Sequence, residues 1–307
     1  MIVHVLSVGD PAQRTGGYLY NARMVRGLRA GGHTVCVHRV EGALPELGPG
    51  VILADGLLWT DLGPAGAALA RQRPVAVLVH SPLWREQGHA RRQEEERALR
   101  PASRVIATSR RTAGDLDVDA LVVEPGTDPV PAAVGSGGTR WLCVATVTPR
   151  KGHDVLAKAV RALPGSWSVR CAGSLTRAPR WADQVQGSAP ERVAFLGELD
   201  AAGLAAEYAA ADAVVHAAHY EGWGMGLAEA LVRGLPVVST PAGLFEGRDP
   251  DAWLPVPAGD STALAAAMAR VQDEPALRGA LGSAARGLGL PDWPTQVAAL
   301  ARALEAL

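Results

Sequence analysis

Two carboxylates and three glycines share one short stretch, His219-Tyr220-Glu221-Gly222-Trp223-Gly224-Met225-Gly226-Leu227-Ala228-Glu229-Ala230-Leu231. The apolar run Ala213–His216 before it reads as a buried strand. The glycines let the backbone take positive φ and let a ligand come close to it. The pattern predicts a helix that starts near Gly226 and stops at Gly234, with Pro236 just beyond. Glu221 then lies on the loop and Glu229 in the first helical turns. A helix start offers free N–H groups and the positive end of a dipole, which suit a phosphate. Carboxylates accept several hydrogen bonds each, which suits sugar hydroxyls. The combination fits a molecule carrying both, such as a nucleotide sugar. The same residues also fit a plain tight turn with Glu229 complementing the helix dipole, and spacing alone does not choose.

Other reactive groups stand where a strand hands over to a helix. Arg150 and Lys151, in Thr148-Pro149-Arg150-Lys151-Gly152, follow the strand-like run Trp141–Val147 and precede an amphipathic helix over 154–163. There they can clamp phosphates, arginine as a fork and lysine as a point charge. Lys151 is one of only 2 lysines among 30 basic residues. His80 ends the strand-like run Val75–Val79, at the carboxyl edge where parallel sheets bind ligands; it fits equally a strand-end histidine bonded to a carbonyl. Gly16-Gly17 sits at a similar handover. Ser109 ends the run Arg104–Thr108 and either lines that edge or caps the next helix. Arg23, Arg26 and Arg29 step by three along one helix and read as a solvated face. Asp115, Asp117 and Asp119 form two D-x-D patterns, read as a solvated turn, so no catalytic metal is expected.

These residues need a scaffold of alternating strands and helices. Ile2–Val8, a helix over 18–30 and Thr34–Val40 make a βαβ opening, which implies a parallel sheet. A polar loop is expected between Val8 and Gly16. A single charged helix is expected over 85–99, with Glu94, Glu95 and Glu96 solvated and Trp84, Ala90 and Ala98 towards the core. Each half carries about six strand signals. The Pro/Gly-rich stretch from Glu124 to Gly138 reads as a linker. The expected domains are 1–130, 131–290 and a final helix over 291–307. At 307 residues with 48% hydrophobic content, two ordinary cores are possible.

Composition excludes several classes. A net charge of −1 argues against binding nucleic acid through phosphate neutralisation. No apolar run of membrane-spanning length and no leader pattern is present. Cys36, Cys143 and Cys171 are odd in number, lack C-x-x-C spacing and fall in apolar runs, which reads as reduced buried thiols in a cytoplasmic protein.

The central stretch resembles the Glu-x7-Glu signature of family 4 retaining glycosyltransferases. Glu221-Gly-Trp-Gly-Met-Gly-Leu-Ala-Glu229-Ala is followed by Gly234-Leu-Pro236-Val237-Val238. Trp223 replaces the usual phenylalanine, Gly226 the usual proline, and Ala217-Ala218 a frequent Pro-Ser. Pro125-x-Gly-x-Asp128 resembles the segment leading into the family's second domain. Thr146-x-x-Pro149-Arg150-Lys151-Gly152 resembles its diphosphate turn, with Thr146 where arginine is commoner. The resemblance runs from Gly16 to about Trp293. It implies a GT-B α/β fold: two Rossmann-like doubly wound domains face each other across a cleft, and the last helix returns to the first domain.

The resemblance also implies roles. The first domain would bind the acceptor, with Gly16 and Gly17 near donor or acceptor. Ser109 would be similar to a serine of that domain. His80 would contact the donor sugar and Glu221 would hold a sugar hydroxyl. Lys151, Arg150 and the amides of Gly224, Met225, Gly226 and Leu227 would hold the diphosphate, and Glu229 the ribose. Gly173, Leu196 and Gly197 would lie near the base. The site would be complete only on closure. The activity implied is retaining, metal-independent hexosyl transfer from a UDP- or GDP-linked sugar, with no cofactor. The short first domain points to a small soluble acceptor, and peripheral membrane contact stays open. Rival readings are a GT-B sugar-nucleotide epimerase and a non-catalytic nucleotide-sugar-binding subunit.

Overall fold

The computed structural model describes residues 1–8, 15–138 and 140–307. The polar loop expected between Val8 and Gly16 therefore lies almost wholly outside the described residues. The chain forms two α/β units, Met1–Asp128 with Pro291–Leu307, and Pro129–Leu290.

The first unit is built on six parallel strands: β1 (Ile2–Ser7), β2 (Thr34–Arg39), β3 (Val51–Asp55), β4 (Val75–Val79), β5 (Arg104–Ala107) and β6 (Ala120–Val122). Their order is β2-β1-β3-β4-β5-β6. The all-apolar β4 is buried along its whole length, as expected of a strand covered on both faces by crossover helices. Leu6, Ile52, Val77 and Val105 meet Trp59 and Leu99 in one core. The closing helix Trp293–Glu305 packs on the helix Gly16–Ala30. Buried Leu300 and Leu304 lie on it, and its Val297 occupies the space a side chain at Gly27 would need.

The second unit has β7 (Arg140–Val144), β8 (Ser168–Ala172), β9 (Val193–Gly197), β10 (Ala213–His216), β11 (Val237–Ser239) and β12 (Leu254–Pro255). Their order is β12-β11-β10-β7-β8-β9, again all parallel. Successive strands run outward in opposite directions from the β7/β10 pair, which makes that pair the switch point where such sheets bind ligands. In the first unit the corresponding reversal lies between β1 and β3.

Five expectations are corrected. The helix expected over 85–99 is two helices, Leu83–Gln87 and Arg92–Leu99, with a 3₁₀ turn between them. The reason is Glu95, which is 3% exposed rather than solvated. It accepts hydrogen bonds from the Leu83 and Trp84 N–H groups at 2.8 and 3.4 Å, capping the first helix. Burial raises its pKa and these bonds oppose the rise. Ala90 is exposed. Gly16 and Gly17 are not a loop before the helix but its first two residues. The Gly135–Gly138 part of the expected linker is fastened to the second unit. The Asp212 carboxylate accepts from the Ser136, Gly137 and Arg140 N–H groups at 2.8–3.2 Å and from the Ser136 hydroxyl.

Two of the D-x-D aspartates face arginines. Asp115 takes a two-pronged bond from Arg85 at 2.7 and 3.1 Å, and Asp117 pairs with Arg100 at 3.2 Å. Arg23 likewise forks onto Asp128, and Arg29 donates to the Val35 carbonyl at 2.8 Å.

Candidate functional site

In the second unit the reactive groups converge at the carboxyl ends of β7 and β10. The chain leaves β7 through a 3₁₀ turn, Pro149–Lys151, closed by Gly152 at φ 65°. A side chain at Gly152 would stand 2.1 Å from the Ala217 carbonyl oxygen, so only glycine lets this turn rest against the chain leaving β10. The His219 N–H donates to the Arg150 carbonyl at 2.8 Å. Arg150 Nη1 donates to the Tyr220 carbonyl at 2.9 Å.

Glu221 is the centre of this arrangement. Its Oε2 accepts from Lys151 Nζ and from His216 Nε2, the latter at 2.9 Å. The carboxylate and ammonium side chains are 12% and 14% exposed and the imidazole 5%. Burial opposes ionisation of Glu221, but Lys151, His216 and Arg150 outweigh it and hold the carboxyl well below its usual range. The His216 pKa is raised despite burial, through its bonds to Cys143 and Glu221. Lys151 and Glu221, expected to meet different parts of a ligand, thus meet each other.

The following loop is pinned from the β11 side. The Leu244 N–H donates to the Trp223 carbonyl at 3.0 Å and the Thr240 hydroxyl to the Ala218 carbonyl at 2.7 Å. Gly224, at φ 107°, is the residue before the helix Met225–Leu231, which continues as turns to Gly234. The first intrahelical bond is Ala228 N–H to Gly224 C=O, so the amides of Met225, Gly226 and Leu227 have no partner within the helix. The fully buried Tyr208 supports this end by donating to the Gly226 carbonyl at 2.7 Å. Burial first, then the Glu229 charge, raises the Tyr208 pKa well above its usual value. Gly226 lies against β7, where an added methyl would come within 3.0 Å of the Val144 carbonyl oxygen. This contact accounts for glycine at that position.

Gly173 and Gly197 are joined by a 2.9 Å backbone hydrogen bond, with Leu196 beside them on β9. A side chain at Gly173 would collide with the Ala145 carbonyl at 2.1 Å, so backbone packing requires this glycine. An open groove of about 590 Å³ lined by Gly165, Trp167 and Arg192 lies at the opposite, amino-terminal ends of β8 and β9. Arg192 lies over the Trp167 ring and donates to the Leu163 and Gly165 carbonyls, so its polar capacity serves the fold.

The first unit gathers a second group at its own strand ends. His80 Nε2 donates to Asn21 Oδ1 at 3.0 Å and stands 4.0 Å from Asp55 Oδ2, while Asn21 Nδ2 donates to Asp55 Oδ2 at 3.3 Å. Tyr20 meets the imidazole edge-on at 5.2 Å between centroids. Gly17 is the residue against which His80 rests, for a methyl there would lie 3.2 Å from the ring. Desolvation lowers the His80 pKa in spite of Asp55 and Glu86. Ser109, expected at the ligand edge or as a cap, takes the second role: it is fully buried and accepts the Thr112 N–H at 2.9 Å.

His216, Tyr208, Asn21 and Asp55 belong to these groups and are absent from the sequence expectations. His216 had the same signal as His80, a histidine ending an apolar strand. The other three owe their positions to tertiary packing.

The family described as "Glycosyl transferases group 1" matches residues 138–274. Curated relatives include a lipopolysaccharide core biosynthesis mannosyltransferase of Rhizobium meliloti, 30% identical over 68% of this chain and 66% of that protein. A phosphatidyl-myo-inositol mannosyltransferase of Mycobacterium leprae is 34% identical over 51% of this chain and 43% of its own length. The chain thus spans about two fifths to just under two thirds of these relatives. Among solved structures, sucrose-phosphate synthase of Thermosynechococcus elongatus superposes with TM-score 0.84 at 22% identity, covering 99% and 98% of the two chains. HepE of Anabaena, solved with UDP-glucose, gives 0.83 at 18% identity over 100% of both chains. These likenesses establish the two-unit GT-B architecture of paired parallel-sheet domains.

Proposed function

We propose, from a second unit whose residues 138–274 form a group 1 glycosyltransferase domain, that the protein moves a sugar from a nucleotide diphosphate sugar to an acceptor hydroxyl. The observation that carries this is the meeting of Arg150, Lys151, Glu221 and the Met225 helix start at the β7/β10 switch point. A diphosphate leaving group gains negative charge in the transition state, and preformed cations and amides aimed at it lower the barrier. Lys151 exchanges part of its bond to Glu221 for the diphosphate, with Arg150 and the amides of Gly224–Leu227 beside it. Glu221, so released, holds a donor-sugar hydroxyl, Glu229 holds the ribose, and Gly173, Leu196 and Gly197 border the base. Within the first unit, His80 is kept neutral by desolvation and oriented by Asn21.

We take retention from the resemblance to family 4 and read the step as same-face attack at the anomeric carbon. The leaving phosphate takes the acceptor's proton as the new glycosidic bond forms. The donor is UDP- or GDP-linked, no catalytic metal is used, the acceptor is small, and the reaction runs in the cytoplasm. The relatives support the class: two carry mannosyltransferase names and a solved neighbour holds UDP-glucose.

The test is a thermal-shift and hydrolysis screen with UDP-, GDP- and ADP-sugars, each with and without EDTA. A ligand that binds only the folded chain raises Tm by mass action. One nucleotide should give a shift that Lys151→Ala and Glu229→Ala weaken. No shift with any nucleotide, or one abolished by EDTA, would overturn the reading.

A further inference from the structure

The second unit also holds a buried group of side chains that sugar transfer does not use. Cys143 on β7 and Cys171 on β8 are register partners. Both are 1% exposed, as is His153, the first residue of the helix His153–Ala162. Cys143 Sγ, Cys171 Sγ and His153 Nε2 all lie within 4.8 Å of one another, with sulfur and nitrogen at 3.9 Å for the Cys143–His153 pair. His153 Nδ1 has no hydrogen-bond partner. The cysteines sit in the apolar layer formed with Val155, Leu156 and Val215. A buried imidazole without its full set of partners is unfavourable in such a layer, where leucine would pack without that loss.

We propose that Cys143, His153 and Cys171 bind a thiophilic divalent cation of the Zn²⁺ class as a structural centre of the second unit. Two thiolates and an imidazole are three of the four donors of a Cys2His2-type zinc site, with Zn–S near ~2.3 Å and Zn–N near ~2.0–2.1 Å, and the fourth position falls to a water molecule. Around a tetrahedral ion those bonds place neighbouring ligand atoms about 3.5–3.8 Å apart. The Cys143–His153 pair is almost at that spacing, and the rest of the group closes by about 1 Å or less. Binding breaks two S–H bonds; the two protons pass to solvent and the sulfurs and the neutral imidazole each donate a lone pair. No oxidant or reductant takes part. The ion would tie β7, β8 and the helix His153–Ala162 together.

The experiment uses the full chain, expressed with added Zn²⁺ and, separately, refolded with Co²⁺. The expected result is about one ion per chain and about two protons released per ion, with a thiolate-to-cobalt charge-transfer band. Cys36→Ser, in the other unit, should leave the band intact, and the paired change Cys143→Ser with Cys171→Ser should abolish it. Zinc-edge X-ray absorption on the unaltered chain needs no variant to fold and should show sulfur at about 2.3 Å. Metal well below stoichiometric amounts, an absorption spectrum without sulfur neighbours, or a cobalt band that survives the paired change would overturn the proposal.

Discussion

At the scale of single residues, one carboxylate governs the second unit's site. Glu221 is held by Lys151 and His216 in a largely buried setting. Removing one partner of a fully buried pair costs about 3–5 kcal/mol, because the other charge stays behind uncompensated. His216 remains on Glu221 after Lys151→Met, so the expected loss is smaller, on the order of 2 kcal/mol, measured by urea unfolding. The pH dependence follows from the two shifts. The folded Glu221 pKa is depressed, so its contribution is present above the unfolded value of 4.5 and disappears as pH falls through the folded value. The folded His216 pKa is raised, so its contribution is complete below 6.5 and disappears as pH rises through the folded value. The Tm advantage of the natural chain over His216→Gln should therefore shrink on the alkaline side of 6.5. A gap that widens there would contradict the assignment. Glu221, Lys151 and His80 were legible because residue type and position after a strand both pointed to them. Asn21 and Asp55 were not, since neither carries a local signal and the distance to His80 is set by how the Gly16–Ala30 helix lies over β3 and β4.

Elements are held in place by close backbone approach and by caps. Gly152 combines a left-handed φ with a carbonyl 2.1 Å from where a methyl would go. Gly152→Ala should lower stability by about 3 kcal/mol or more, since strain and overpacking add. A calorimetric scan checks it, and a change within experimental error would mean that the turn lies away from Ala217. In the first unit, Glu95→Ala leaves the buried Leu83 and Trp84 amides without their acceptor. The expected cost is about 1–2 kcal/mol, together with faster amide exchange over Leu83–Gln87. A triple-glutamate run reads as a wet face in any sequence. The folded chain draws one of the three inwards because the helix start next to it needs an acceptor.

On the scale of the whole chain, the last seventeen residues return to the first unit. Trp293, 8% exposed, meets Tyr20 edge-on at 6.0 Å between centroids. Trp293→Ala should cost about 3–4 kcal/mol, as large-to-small changes in cores do. The loss belongs to the first unit, so calorimetry should show one endotherm moving down while the other stays. Among the described residues no helix is long and apolar enough to cross a membrane.

The sequence by itself determined the α/β class, the strand count of each half and the neighbourhood of the central motif. Those depend on patterns a few residues long: apolar runs of strand length, glycines at handovers, a proline past a helix end. Tertiary structure alone decided which groups touch. The ion pair of Lys151 with Glu221 joins positions seventy residues apart, and the Cys143–Cys171–His153 group exists because β7 and β8 lie side by side in register beneath one helix. Local periodicity does not encode such meetings, since they follow from strand order, and strand order follows from burying both faces of each sheet at once.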